Sequence, residues 1–245
     1  MGTPSPRRSY RKRVAVLFAG ALVLYLVAAY VVMPALWKHH ERGHPSLDAI
    51  PRITHTADGI PGDPLNVALI GTETELKKIM LAARWYPADP LTLRSCLAIA
   101  EASVLKRPDD DAPVSNLYLG GRQQDLAFEQ PVGDSPRHRH HVRFWQTDKV
   151  DPDGRSVWVG SAIYDERVGL SRTTGQITHL TGPDIDAERD KLFHDLEQTG
   201  DLAEVIVVKG FHKILEGRNG GGDPWHTDGN LYEGVIKPTG SQPNP

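Results

Sequence analysis

The pattern of hydrophobic and polar positions divides the chain into three parts. They are an uncharged run, a polar stretch, and a long region in which apolar residues recur first with helical spacing and then at every second position. Val14–Leu36 contains no charged residue, and as a helix it would extend about 34 Å, enough to cross a bilayer core of roughly 30 Å. Residues 37–62 are rich in Pro, Gly and His without a period, which is typical of a linker. We therefore predict a basic tail (1–13), a transmembrane helix (14–36), a linker (37–62), a folded domain (63–237) and a disordered tail (238–245).

Within the predicted domain, helical spacing gives way to alternation with a period of two near residue 115. A helix is expected from Thr72 to about Trp85, and Thr72 with Glu75 would form a capping box. His140–Thr147 and Ser156–Asp165 are predicted to pair as a hairpin. Further helices are predicted over Thr92–Lys106 and from Thr181 to about Gln198. Further strands are predicted at Asn66–Gly71, Asn116–Leu119, Leu126–Glu129, Gln176–Leu180, Ala203–Val208 (buried) and Leu231–Ile236. Strands dominate the middle, so we predict an α+β fold with a mixed, mainly antiparallel sheet flanked by helices and preceded by one transmembrane helix.

Charge sets the expected orientation of the apolar run. Five basic residues precede it and no acidic residue occurs in residues 1–37, which favours a cytoplasmic N-terminus and a domain on the outer side of the cell membrane. A cleaved secretory signal is the alternative, because Val27-Ala28-Ala29 offers small residues for cleavage. The run is longer than the ~7–15 apolar residues of a usual signal, so an uncleaved anchor is preferred.

Composition excludes some classes of partner. The formal charge is −3, and without the five basic residues of the tail, residues 38–245 carry −8. An acidic domain argues against nucleic-acid binding and against lying flat on anionic lipid. The expected partners are membrane lipid around the single helix and, as a second partner, another membrane protein. Cys96 is the one cysteine, so no internal disulfide can form, and a buried thiol is expected.

The first candidate cluster is the basic run Arg137–Arg143. On a strand, His141 and Arg143 would share one face, where together they could bind a phosphate or carboxylate. His138 and His140 could instead share a metal, but a third ligand would have to come from elsewhere, so no metal site is assigned. A solvated strand edge is the structural alternative, and no cofactor is indicated.

The second cluster runs from Ser171 to Asp184. Arg172, His179 and Asp184 nearly match the Ser-Arg…His…Asp element of lipid phosphatases related to type 2 phosphatidic acid phosphatases, where the histidine attacks phosphorus. The spacings differ and the companion elements are missing, so we interpret the match as coincidence. His179 remains a candidate catalytic residue, with Arg172 as an anion ligand. Asp184 could orient the imidazole or cap the following helix.

A glycine-rich segment forms the third cluster. Consecutive glycines let backbone amides approach a ligand closely, and Arg218 supplies a fork for an anion. Asp223, His226 and Asp228 could bind a cation or transfer protons, with Asn219 beside them. A loop without a ligand is the structural alternative.

A smaller pair lies at a predicted tight turn. Arg122 and Asp125 follow Gly120-Gly121, and an ion pair between them would brace the turn.

Several long segments of the domain resemble the LssY C-terminal domain family. They are DPLTLRS, GRQQDLAFEQ, SPRHRHHVRFW, VGLSRTTGQITH, DIDAERD and GRNGGGDPWHTDG, and the resemblance covers residues 63–236. It implies a bacterial, membrane-associated protein. It implies no established activity and assigns no catalytic residue.

Two functions follow as hypotheses. The first is a non-catalytic, membrane-anchored envelope module that binds a ligand or partner, suggested by the anchor and the lack of a complete catalytic signature. The second is a membrane-tethered hydrolase acting on a phosphate-bearing or polar-lipid substrate, with His141, His179 and Asp184 as catalytic residues and Arg143, Arg172 and Arg218 as anion ligands.

Overall fold

The computed structural model describes residues 6–27, 47, 50–57, 59–88, 116–133, 138–170, 172 and 177–238. It forms two compact units, residues 1–46 and 47–245, each of which is described by itself. The predicted helix Thr92–Lys106 with Cys96 and nearly all of the predicted tail lie outside the described residues.

The first unit contains helix α1, Pro6–Val27. It begins before the predicted span because the Arg and Lys residues that precede Val14 are good helix formers. Nowhere in the described ranges is a helix both long enough and apolar enough to cross a membrane. Residues 28–36, the second part of the predicted span, lie outside the described residues.

The second unit contains two helices and fourteen strands among its described residues. The helices are α2 (Glu73–Ala82) and α3 (Ile185–Gln198). The strands are β1 (Ile53–His55), β2 (Pro61–Pro64), β3 (Val67–Ile70), β4 (Tyr86–Pro87), β5 (Tyr118–Leu119), β6 (Arg122–Gln123), β7 (Leu126–Pro131), β8 (Arg139–Val150), β9 (Ser156–Leu170), β10 (Ile177–Thr181), β11 (Leu202–Val208), β12 (Glu216–Arg218), β13 (Pro224–His226) and β14 (Leu231–Ile236).

Eight strands form the main sheet. Seven of them follow the order β11-β14-β3-β9-β8-β7-β4, and β10 pairs with the far end of β9. β14 and β3 run parallel, and the other described pairs are antiparallel, so the fold is α+β with a mixed, mainly antiparallel sheet as predicted. A small sheet, β2-β1-β5-β6, and the hairpin β12-β13 complete the strands.

The two faces of the main sheet bury different layers. On one face, both α2 and α3 pack against the strands around Trp158 and Phe144. Leu76 and Ile79 supply the α2 side, with the spacing that the sequence predicted, and Thr72 and Glu75 form the expected capping box. The opposite face carries a second apolar cluster that includes Leu47, Leu65, Ala68, Leu117, Trp145, Val159 and Phe211.

Two parts of the fold differ from the sequence-based expectation. β1 and the start of β2 lie inside the stretch 37–62 that was expected to be a linker, and Leu47 is buried in the core. The prediction that Ala203–Val208 is a buried strand was wrong. β11 lies at the edge of the sheet and pairs with β14 alone among the described strands, so its residues are partly exposed. A mostly apolar run does not specify the position of a strand within its sheet.

Candidate functional site

A carboxylate shared by two histidines lies at the centre of the site. Asp165, near the middle of β9, places Oδ2 3.3 Å from Nδ1 of His141 and 3.3 Å from Nδ1 of His179. Nε of Arg139 donates to the same oxygen at 3.0 Å. These side chains come from three neighbouring strands, because β9 pairs with β8 on one side and with β10 on the other.

Strand alternation explains why these groups meet. Arg139, His141 and Arg143 occupy alternate positions of β8 and therefore point to one face of the sheet, away from the helices. The cross-strand register places Asp165 opposite Arg139, and Glu129 of β7 opposite His141. All five side chains are at least 95% buried. The polar cluster is thus set into the sheet itself.

The guanidinium groups fix the orientation of the imidazoles. Nη1 of Arg143 lies 2.8 Å from Nε2 of His141, and Arg143 can only donate, so Nε2 accepts. The proton of the neutral His141 ring is then on Nδ1, which faces Asp165. Nη2 of Arg139 lies 3.5 Å from Nε2 of His179. Both rings therefore turn Nδ1 toward the shared carboxylate.

The charges around Asp165 control its ionisation. Burial raises the pKa of the carboxyl, but the charges of His141, His179 and Arg139 and the hydrogen bond from His141 outweigh it. The pKa of Asp165 therefore lies below its ordinary value, and the carboxylate is ionised at neutral pH. Its second oxygen, Oδ1, is buried and has no hydrogen-bond partner among the described residues.

A second layer links the cluster to the glycine-rich segment. Asp63 of β2 places Oδ2 3.7 Å from Nη1 of Arg143 and Oδ1 3.4 Å from Nδ2 of Asn219. Nδ2 of Asn219 also donates to Oγ1 of Thr181 at 3.0 Å, and the Thr181 amide donates to Oδ2 of Asp223 at 3.3 Å. The segment before β13 therefore lies against the end of β10, two residues beyond His179.

Accessibility separates the two histidines. The His141 side chain is 4% exposed, whereas that of His179 is 22% exposed. His179 is thus the member of the pair that solvent or a ligand can reach. The Arg172 amide donates to the Gly221 carbonyl at 2.8 Å, and the Arg172 side chain is exposed. Arg218 is also exposed, with Nη1 donating to the Gly222 carbonyl at 2.8 Å.

The formal charge of the cluster limits what it can bind. Asp63, Glu129, Asp165 and Asp223 supply four carboxylates against the guanidinium groups of Arg139 and Arg143. The carboxylates outnumber the guanidinium groups, and protonation of both imidazoles would only balance the charge, so the interior does not attract an anion. Arg143, which was predicted as an anion ligand, lies 3.7 Å from Oδ2 of Asp63.

Several predicted residues lie elsewhere. Asp184 caps α3, where Oδ1 accepts from the Asp186 and Ala187 amides at 3.1 Å, and it is Asp165 that faces His179. Asp228 forms a two-bond pair with Arg189 at 2.9 and 3.2 Å. Burial tends to raise the pKa of Asp228, but the bonds from Arg189 and Asn230 hold it below its ordinary value.

His226 and the turn pair Arg122–Asp125 are the remaining candidates. The His226 side chain is exposed, and its amide donates to Pro183. Arg122 and Asp125 form the ion pair expected at the turn, at 2.6 and 2.7 Å.

His138 and His140, which were considered as a shared metal pair, contact other side chains. His138 lies 3.3 Å from the Tyr164 hydroxyl, and Nδ1 of His140 lies 2.7 Å from Oε2 of Glu188 on the helix-covered face. Across the described ranges, no group of three or more His, Cys, Asp or Glu side chains is placed to hold a metal ion.

Sequence reasoning missed the carboxylates that organise the site. Asp165 appeared only as the end of a predicted strand, and Glu129 and Asp63 only as strand or boundary residues. An acidic residue inside an otherwise apolar strand is the available signal, because a buried carboxylate needs a partner.

Comparison with known protein families matches residues 47–231 to the family described as LssY C-terminus. The chain belongs to this family. The match covers every strand of the LssY C-terminal domain from β1 to β13, together with both of its described helices, and it reaches the first residue of β14. It therefore includes Asp63, Asp165 and both histidines of the cluster. No curated protein and no solved structure matches the chain.

Proposed function

We propose that the protein is a membrane-tethered hydrolase in which His179 transfers protons and Asp165 orients it. One observation carries the proposal: a single carboxylate oxygen lies 3.3 Å from Nδ1 of both His179 and His141. A carboxylate at Nδ1 holds an imidazole in the tautomer whose Nε2 carries the lone pair, and the 3.5 Å contact from Arg139 to Nε2 of His179 must open before that nitrogen accepts a proton.

The energetic cost of the cluster supports a functional role. Burying ionised groups is unfavourable, and well-packed apolar residues often replace a buried ion pair without loss of stability. A purely structural network would be expected to satisfy each buried polar atom, whereas Oδ1 of Asp165 lacks a partner among the described residues. Perturbed carboxyl groups beside histidines are concentrated at functional sites.

Two exposed arginines suggest a phosphate-bearing substrate. Arg172 and Arg218 lie on the segments that adjoin Gly221 and Gly222, outside the buried cluster. Their guanidinium groups could hold a phosphate at the rim, as anion ligands. Water would then attack phosphorus while Nε2 of His179 takes its proton, the ester P–O bond breaks, and the departing oxygen receives the proton.

The tether belongs to the same proposal. It is supported by the uncharged run Val14–Leu36 and by the five basic residues that precede it. In this arrangement the N-terminus is cytoplasmic, and the domain lies outside the cell membrane beside lipid or another membrane protein. A lipid phosphate and a soluble sugar phosphate are then both within reach of the site.

Phosphate release by the detergent-solubilised full chain tests the activity. We expect turnover of either a lipid phosphate or a sugar phosphate, and a decrease in kcat of about 100-fold or more for His179→Asn, since a general base contributes ~10²–10⁴-fold. Asp165→Asn should lower kcat similarly. His194→Asn is the matched control, because His194 is exposed on α3. An identical background for wild type and His179→Asn would contradict the proposal.

A non-catalytic ligand- or partner-binding module is the second candidate. It is favoured by the pairing of Arg139 with Glu129 at 3.0 Å and of Arg143 with Asp63 at 3.7 Å, since these charges are already compensated within the protein. Under this function, the wild type would release no phosphate above the His179→Asn background from any substrate of the panel.

A further inference from the structure

The two edge strands of the main sheet, β4 and β11, differ in how well they are protected against pairing with a strand of another molecule. At one edge, β4 is two residues long and contains Pro87, which cannot donate a backbone hydrogen bond to a new strand. At the other edge, β11 is seven residues long, contains no proline and has Glu204 as its one charged residue. Short strands, prolines and charges are the usual protection of an edge, and β11 has little of it.

The geometry of β11 suits the addition of a strand. Its register with β14 shifts only between Leu202 and Glu204, and from Glu204 to Val208 the pairing is regular. The Val207 side chain is 41% exposed, and Val205 and Ile206 are partly buried. No described strand pairs with the outer side of β11. The edge is therefore regular over five residues, four of which are apolar.

The charges at the two ends of β11 indicate which strand would fit. Asp201 precedes β11 and Lys209 follows it, both are exposed, and they are symmetric about Val205. If two copies of β11 pair antiparallel with Val205 opposite Val205, Asp201 of each copy lies opposite Lys209 of the other. Glu204 then lies opposite Ile206, so no like charges face each other.

We propose that the protein forms a two-fold symmetric dimer by antiparallel pairing of β11 with β11 of a second copy. The two main sheets become one continuous sheet, with apolar cross-strand pairs around Val205 and an Asp201–Lys209 pair at each end. This is an isologous interface, in which one patch meets its own copy, and it leaves the cluster around Asp165 unchanged. The inference does not depend on the proposed hydrolase activity.

Cysteine cross-linking tests the register. In a Cys96→Ser background of the full chain in detergent, Val205→Cys places two thiols on the symmetry axis. Directly opposite Cα atoms of antiparallel strands are ~4.5–5.5 Å apart, within the range of a disulfide. Val207→Cys is the matched control, because Val207 lies opposite Ala203 and the two copies of residue 207 are about 14 Å apart along the strands.

We expect Val205→Cys to form an intermolecular disulfide under mild oxidation and Val207→Cys to remain uncross-linked. Random collision would give the reverse order, because Val207 is the more exposed residue. Faster cross-linking of Val207→Cys, or none of Val205→Cys, would overturn the proposal.

Charge reversal tests the ends of the strand. Light scattering of the detergent-solubilised full chain, corrected for bound detergent, should give the mass of two chains. Asp201→Lys should reduce it toward one chain, and Asp201→Lys with Lys209→Asp should restore two. Both residues are exposed, so neither variant is expected to unfold the protein. A single-chain mass for the wild type, as expected if β11 instead binds another protein or nothing, would overturn the dimer.

Discussion

Oδ2 of Asp165 lies 3.3 Å from Nδ1 of His179, although the two residues belong to different strands and solvent reaches only the histidine appreciably. The carboxylate is held by a guanidinium and two imidazoles inside the sheet, so its loss would leave several donors buried without an acceptor. The stability of the domain and the orientation of His179 therefore depend on the same group.

We expect Asp165→Asn to lower the free energy of unfolding by about 3–5 kcal/mol, the usual cost of removing one partner from a buried charge network. Urea unfolding at pH 7 measures the change. Asp190→Asn is the matched control, because Asp190 pairs with Arg189 but is 56% exposed, and exposed pairs contribute roughly 0–1 kcal/mol. Equal losses in the two variants would show that burial of the Asp165 network is not decisive.

Acid should remove the contribution of Asp165 to stability. Its pKa is lower in the folded protein than in the unfolded chain, so the unfolded chain binds the proton first as pH falls. The stabilisation is complete above the ordinary pKa of 3.8 and is lost as pH falls below it. The difference between wild type and Asp165→Asn should therefore shrink between about pH 4 and pH 2. A constant difference across this window would contradict the assignment.

Glu233 should give a pH dependence of the opposite sign. Burial, and then the charge of Glu204, raise the pKa of Glu233 from 4.5 to about 7. The folded protein keeps this proton longer than the unfolded chain, so stability is complete below pH 4.5 and is lost as pH rises through 7. The shift corresponds to roughly 3 kcal/mol.

Glu233→Gln tests this expectation. The variant should be more stable than wild type at pH 8 and should lose the decrease between pH 5 and pH 8, as measured by urea unfolding. Glu204→Gln, at an exposed position, should retain most of that decrease because burial is the larger cause. A wild-type stability that is flat over this range would contradict the prediction.

Asn66 connects three elements through one buried amide. Nδ2 donates to the Ala162 carbonyl at 2.9 Å and to the Ile185 carbonyl at 2.8 Å, and Oδ1 accepts from the Ala162 amide at 2.8 Å. Asn66→Ala would leave these backbone groups without the side chain, at ~1–3 kcal/mol for each unsatisfied group. We expect a loss of at least about 3 kcal/mol in urea unfolding. A loss under ~1 kcal/mol would show that water or rearrangement replaces the amide.

Arg84 follows the C-cap of α2 with φ of 63°, the left-handed region that glycine adopts most easily. We expect Arg84→Gly to raise the free energy of unfolding by up to ~1 kcal/mol, the usual cost of a non-glycine residue in this conformation. Arg84→Ala keeps the strain and should not stabilise the protein. Thermal unfolding of the two variants distinguishes relief of backbone strain from loss of the arginine side chain.

Local patterns predicted the individual elements well. The alternation of β8 placed His141 and Arg143 on one face and His140 on the other, as the structure has them. Thr72 and Glu75 formed the predicted capping box, since that motif depends on four consecutive residues. The family was also identified from the sequence segments, and the family match supports it.

The partners of those side chains could not be predicted. Asp165 meets His141 through the register of β8 with β9, and His179 through the pairing of β10 with the far end of β9. Neither the strand order nor the register is encoded locally. The edge position of β11 was missed for the same reason. Nothing near Arg143 in the sequence revealed that Asp63 lies 3.7 Å from it.

The position of Asp63 has a practical consequence for preparing a fragment of this protein. Oγ1 of Thr54, in β1, accepts from the Asp63 amide at 2.8 Å and donates to the Asp63 carbonyl at 2.9 Å, so β1 holds the residue that faces Arg143. A fragment beginning at residue 63 would discard this support together with the buried Leu47. A truncated version intended for crystallisation or assay should therefore start upstream of Leu47.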